Sequence, residues 1–191
     1  MLNPARKHYA SLKARLITRY EDIYHDEDAI FMERNSRDFT RRAAKIDANA
    51  ERVCDLLHDA AAQQGGPITE VFYPKWQTAE HYAARRRLPG GGGGFGGLFS
   101  LAFASLRAAE AFFDALACAK GPSLGTNFTL ACPYTILAHY EELDWAARYG
   151  VPSSLVRVSV GLEDPAWLHD VFASALRAAE EAHRANNAGG A

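Results

Sequence analysis

Residues 155–164 read LVRVSVGLED, and how this stretch is read decides how the C-terminal half of the chain folds. Strand periodicity places Val156, Val158 and Val160 on one face, and Arg157 with Ser159 on the other. The apolar face needs a core. The polar face meets either water or a group that requires a fixed cation. Asp164-Pro165 then opens a helix whose Trp167, Leu168, Val171, Phe172, Ala175, Leu176 and Ala179 make a broad apolar face. A strand followed directly by such a helix predicts a sheet covered by helices.

Upstream of this stretch the pattern repeats. ITEVFY (68–73) predicts a strand stopped by Pro74, and TAEHYAARRR a short helix capped by Thr78. LFSLAF (98–103) predicts a second strand. A helix from Ser105 to about Cys118 then turns Leu106, Ala109, Phe112, Phe113 and Leu116 inward. The loop KGPSLGTNF leads to TLAC, a third strand, and HYEELDWAARYG is helical. From residue 67 onward the order is β-α-β-α-β-α-β-α. Short strands with polar faces point to an α/β domain of the α+β kind, with helices on one side of a small, mostly antiparallel sheet.

Before Gly65-Gly66 the chain is helical. Asn3-Pro4 predicts a helix start, with Tyr9, Leu12, Leu16, Ile17 and Tyr20 on one stripe, and the acidic EDIYHDEDA reads as a connector. A long helix follows from about Ser36, with Phe39, Ala43, Ile46, Ala50, Val53, Leu57 and Ala60 at helical spacing. The tail NNAGGA predicts disorder.

Composition narrows the function. The chain has 191 residues, 48% hydrophobic and 23% charged, with a formal charge of -2. That balance gives no reason to expect nucleic acid or an anionic membrane as partner. Cys54, Cys118 and Cys132 are scattered, with no CxxC pair, which argues against a disulfide framework or zinc site and for a reducing, cytoplasmic setting. No secretory leader or membrane span is evident. The seven histidines show no HExxH spacing, so no metal site is expected. Arg41-Arg42 and Arg85-Arg86-Arg87 read as solvated helix faces. The glycines from Gly90 to Gly94, with Gly96 and Gly97, follow a helix and precede a strand, the reverse of a phosphate-binding turn, and read as a flexible loop.

Arg157 remains. Ser123-Leu124-Gly125 is a small-residue loop between a helix and a strand, where side-chain and backbone groups reach a ligand. An arginine elsewhere in the same sheet can meet that loop, and its planar fork matches a carboxylate bidentately. The alternative is a surface salt bridge with Glu163 or Asp164. The residues alone leave both open.

EDAIFMERNSRDFTRR, VFYPKW, GGFGGLFS, KGPSLGTNFTLACPYTILAHYEELDWA and LVRVSVGLED together resemble the C-terminal part of the Cys/Met-metabolism enzymes dependent on pyridoxal phosphate, nearest the fungal type of cystathionine γ-synthase. The resemblance implies the C-terminal domain of a fold-type I transferase. It also implies that Arg157 binds the α-carboxylate of an amino-acid substrate, with Ser123 contributing from the SLG loop. One departure is Cys132-Pro133, where the family often carries His-Pro one residue later.

The implied reaction is γ-replacement, in which cysteine displaces the γ-substituent of an activated homoserine to give cystathionine, with pyridoxal phosphate as cofactor and a homo-oligomer as the intact enzyme. The family's lysine stands in a Ser/Thr-rich turn. None of Lys7, Lys13, Lys45, Lys75 and Lys120 has that setting, so no catalytic or cofactor-binding residue is expected in this chain. MLNP resembles a segment shortly beyond that lysine. The expectation is therefore a C-terminal portion: residues 1–66 finish the large domain and supply a connecting helix, 67–185 form the small domain, and 186–191 are a disordered tail. Such a chain would be inactive alone. A γ-lyase or a sulfhydrylase on the same scaffold, or a non-catalytic binding domain, are the competing readings.

Overall fold

The computed structural model describes residues 2–84 and 93–188. Contacts divide the chain into a first unit ending at Phe39 and a second beginning at Thr40.

The first unit holds α1 (Tyr9–Arg19) and α2 (Asp26–Ser36), neither with a buried residue. Asn3 starts a turn rather than the helix itself, its Oδ1 accepting from the Ala5 amide at 3.0 Å. The last part of the expected acidic connector, from Asp26 to Ala29, is helical. Asp26, Glu27 and Asp28 occupy the first turn of α2, where the helix dipole favours negative charge, and the Arg37–Glu33 pair spans one turn at its end (2.8 Å).

The second unit is built on a five-stranded sheet. The strands are β1 (Ile68–Phe72), β2 (Leu98–Phe103), β3 (Ala119–Lys120), β4 (Leu130–Cys132) and β5 (Val156–Ser159), ordered β1-β2-β5-β4-β3. All pairings are antiparallel except β3 with β4. Sequence periodicity could not reveal β3, because two residues carry no period.

One face of the sheet takes the helices α3 (Phe39–Ala61), α5 (Leu106–Ala115) and α8 (Pro165–Ala188). Val156 pairs with Leu101 and Val158 with Phe99, so these side chains rise on the same side into the core. Phe112 of α5 packs on Phe103 (5.1 Å) and on Phe172 of α8 (6.3 Å), and Phe99 meets Phe172 at 6.1 Å. Burying each such ring is worth about 1.5–3 kcal/mol. α3 adds Ala50, Val53, Cys54, Leu57 and Ala60 to the same core. Ser105 caps α5 by accepting from the Ala108 amide, and Asp164 caps α8 by accepting from Ala166 and Trp167.

Several local expectations fail. Leu106 and Trp167 are 41% and 44% exposed, lying at the first turns of their helices, beyond the reach of the core. Thr78 flanks α4 (Ala79–Ala83), but its backbone is left-handed at φ 59° and its side chain makes no cap bond. Residues 186–188 are not a disordered tail: α8 runs through Ala188, with Asn187 bonded one turn back to His183 (3.1 Å). HYEELDWAARYG is not one helix: His139 ends α6 (Tyr134–His139), Tyr140–Glu142 form a 3-10 turn, and α7 (Leu143–Arg148) follows. Arg85–Arg87 and Gly90–Gly92 lie outside the described residues. Past them, Gly94 and Gly96 each donate an amide to the Asp47 carboxylate at 3.1 Å, so this end of the glycine run is fastened to α3. Among the described residues no helix is long and apolar enough to cross a membrane.

Candidate functional site

Arg157 sits in mid-sheet on β5, facing Ser100 of β2 on one side and Cys132 of β4 on the other. Alternation sends its side chain off the face opposite the core. There Nη2 donates to the Pro122 carbonyl, and the guanidinium lies 5.1 Å from the centroid of the Tyr134 ring. Pro122 immediately precedes Ser123. The sheet and the SLG loop are thus brought together at this one cation.

The alternative partners, Glu163 and Asp164, are both engaged elsewhere. Glu163 spends its carboxylate on Thr129, accepting from the amide at 2.6 Å and from Oγ1 at 2.9 Å. Asp164 is the cap of α8. Among the described residues no carboxylate pairs with Arg157, although a guanidinium carries five N–H donors. Ser123 is exposed, and among the described residues its hydroxyl has no hydrogen-bond partner. Burial pushes the Cys132 thiol up, and the neighbouring Arg157 charge pulls it only part of the way back. Cys132 is therefore a neutral side wall of the site, not a nucleophile.

The loop over this face is tied down from β5 and α3. Ser159, sharing the Arg157 face, accepts from the Gly125 amide at 2.9 Å. Leu162 donates its amide to the Asn127 carbonyl (2.8 Å), and Gly161 donates to Thr129 Oγ1 (3.0 Å). From α3, Asn49 donates to the carbonyls of Gly161 (3.1 Å) and Glu163 (3.0 Å), while Arg42 reaches Asn127 Oδ1 (3.2 Å). The sequence reading missed Asn49, Thr129 and Tyr134 and took Arg42 for a solvated charge. Asn49 had a signal: an amide beside Ile46, Ala50 and Val53 on an apolar stripe, 2% exposed, must bond to something.

In the second unit no lysine is set to hold a cofactor covalently beside Arg157. Lys75 is paired with Glu51 (2.9 Å) and Asp55 (2.7 Å), and the hydrogen bond to Asp55 raises its pKa. Lys120 donates to the Phe113 and Leu116 carbonyls at the end of α5. Lys45 is exposed on α3. Among the described residues of this unit, none of these three lysines is placed as a covalent seat for pyridoxal phosphate.

No family model matches the chain. Individual proteins do. A cystathionine γ-synthase-like enzyme of Amanita muscaria is 53% identical over 195 residues, spanning 95% of this chain and 31% of the relative. The cystathionine γ-synthase of Neurospora crassa is 47% identical over 181 residues, spanning 95% of this chain and 28% of the relative. Over nearly its whole length the chain is similar to one part of the fungal cystathionine γ-synthases. It spans roughly a third of the length of the relatives it matches. Its fold is shared with the cystathionine γ-synthase of Xanthomonas oryzae pv. oryzae in complex with aminoacrylate and cysteine. There the TM-score is 0.64 at 25% identity, over 78% of this chain and 37% of that one. Yeast cystathionine γ-lyase has the same fold, with a TM-score of 0.66 at 23% identity over 76% and 37%.

Proposed function

We propose that this chain is the carboxylate-binding portion of a cystathionine γ-synthase-like enzyme, with Arg157 as the anchor for the α-carboxylate of an amino-acid substrate and Ser123 as its neighbour. The observation that carries the reading is the state of Arg157. Its guanidinium is steered by a backbone carbonyl and an aromatic face, and both nearby acids are engaged elsewhere. A cation held in place without a carboxylate partner is a receptor for one, and the charge-assisted bonds it forms are about twice as strong as neutral ones.

In this reading residues 1–66 end a larger domain and supply the connecting helix, and residues 67–185 form the small domain. Pyridoxal phosphate, when bound in the longer enzyme, supplies the electron sink for γ-replacement on an activated homoserine. Arg157 contributes orientation: fixing the carboxylate fixes the rotation of the substrate about its Cα. The intact enzyme is then an oligomer, and this chain alone is inactive because no lysine stands at the site. The shared fold with a γ-lyase keeps that activity as the second reading.

The test is a titration of the 15N-labelled chain with L-methionine, an α-amino acid, followed at the Ser123, Leu124 and Gly125 amides. Saturable shifts in the wild type that vanish in Arg157→Ala are expected. Equal shifts in both proteins would sink the reading.

A further inference from the structure

We infer that Glu163 is a positioning residue for the Arg157 site, acting through Thr129 on the loop that carries Ser123. The inference rests on the carboxylate-binding reading and adds a residue to it. Glu163 does not touch the guanidinium. Both of its carboxylate oxygens go to a single residue, Thr129, through the amide and the hydroxyl. The same hydroxyl accepts from the Gly161 amide at 3.0 Å, which closes a ring of three residues between the end of β5 and the start of β4. Thr129 is 1% exposed, so its amide and hydroxyl have no water to fall back on.

The clamp is fixed on its far side as well. The Glu163 carbonyl accepts from Asn49 on α3 at 3.0 Å, so the acid is carried by a segment that is itself bolted to the core. The loop it holds is otherwise tied by single hydrogen bonds, at Asn127 to Leu162 and Arg42 and at Gly125 to Ser159. Residues 122–125, 127 and 128 are all exposed, and an exposed segment contributes few apolar contacts of its own. Pro122, whose carbonyl steers Arg157, and Ser123 lie at the other end of this short loop, with the Ser159–Gly125 bond at 2.9 Å between them and Thr129. The ties from Ser159, Leu162 and Glu163 at the end of β5 together set where the receptor groups stand relative to the cation, and that of Glu163 is the charged one. A charged acceptor shared by two donors is the strongest of them. Releasing it lets the loop drift, and misplaced receptor groups lose affinity steeply.

The experiment compares L-methionine affinity in the wild-type full chain with Glu163→Ala, Glu163→Gln and Thr129→Val, by the same amide titration together with hydrogen exchange of the Gly125 amide. Glu163→Ala is expected to bind about tenfold more weakly and to exchange Gly125 faster, with the amide signals of β1 and β2 unmoved. Glu163→Gln, which keeps an acceptor for the Thr129 amide, should recover most of the affinity. Thr129→Val, which keeps the amide but removes the hydroxyl, should fall between the wild type and Glu163→Ala, and the double variant should be no weaker than Glu163→Ala. Should Glu163→Ala not fold, Glu163→Asp, one methylene short, is read in its place. Wild-type affinity in Glu163→Ala, with only the thermal midpoint lowered, would overturn the inference and leave Arg157 standing. Absence of L-methionine binding by the wild type would overturn both.

Discussion

The Arg157 guanidinium lies over the Tyr134 ring, its carbon 5.1 Å from the ring centroid. Tyr134 opens α6 directly after β4, so the strand that faces Arg157 across the ladder also delivers the ring that orients it. A lysine could keep the charge at this position but not a two-pronged grip on a carboxylate. Arg157→Lys should weaken binding of an α-amino acid about tenfold, the loss of one hydrogen bond to a charged group. Tyr134→Ala should weaken it by a smaller factor, about two- to fivefold, because a cation–π contact of this exposure is worth about 0.5–1 kcal/mol. Equilibrium titration of both variants measures the order.

Gly161 and Gly97 are both places where a side chain has no room, for different reasons. A Cβ on Gly161 would meet the Phe128 backbone at 2.5 Å, whereas one on Gly97 would run into the Ile46 side chain. Backbone cannot step aside; a side chain can be shortened. Gly161→Ala should cost about 1–3 kcal/mol, or more if the loop is forced off β5, and no single second substitution should restore it. The cost of Gly97→Ala should be largely relieved by Ile46→Ala. Urea unfolding of the four proteins checks the contrast.

Stability should fall on the alkaline side. Burial raises the Cys54 thiol and the Tyr73 hydroxyl well above their ordinary ranges. Each therefore keeps its proton longer in the folded chain than in the unfolded one. Their contribution is complete below the unfolded values, about 8.5 for cysteine and 10 for tyrosine, and is lost as pH rises toward the folded ones. Lys75, raised by its bond to Asp55, acts in the same direction, and Lys120, lowered by desolvation, opposes it. The urea midpoint should decline from about pH 8.5 upward, less steeply in Cys54→Val. A flat profile to pH 10.5 would contradict the burial of these groups.

Incubated with pyridoxal phosphate and reduced with borohydride, the chain should show no lysine modified stoichiometrically. Lys75 is held protonated between Glu51 and Asp55, and Lys120 is bonded to two carbonyls. One modified lysine per chain, mapped by peptide mass, would show a cofactor seat where the geometry offers none.

The sheet was readable because its longer strands are short apolar runs bounded by turn residues. LFSLAF is β2 to the residue, and the Val-Arg-Val-Ser pattern of β5 sends the cation to the face opposite the core. Asp164 and Ser105 cap as their positions require. Local pattern could not reveal what depends on contacts distant in sequence. The parallel pairing of β3 is two residues long. Glu163 looked like a partner for the arginine six residues before it, yet it bonds to Thr129, 34 residues away. The acids of α2 read as a break when they are a favourable first turn. A polar side chain advertises that it needs a partner, but only the fold says which one.

The decisive measurement is the Arg157 side-chain Nε–H resonance, assigned by its loss in Arg157→Lys, during titration with L-methionine and, separately, with L-methioninamide. A progressive, saturating shift with the acid and none with the amide is the result this account predicts. The same response to both ligands, or to neither, would contradict it.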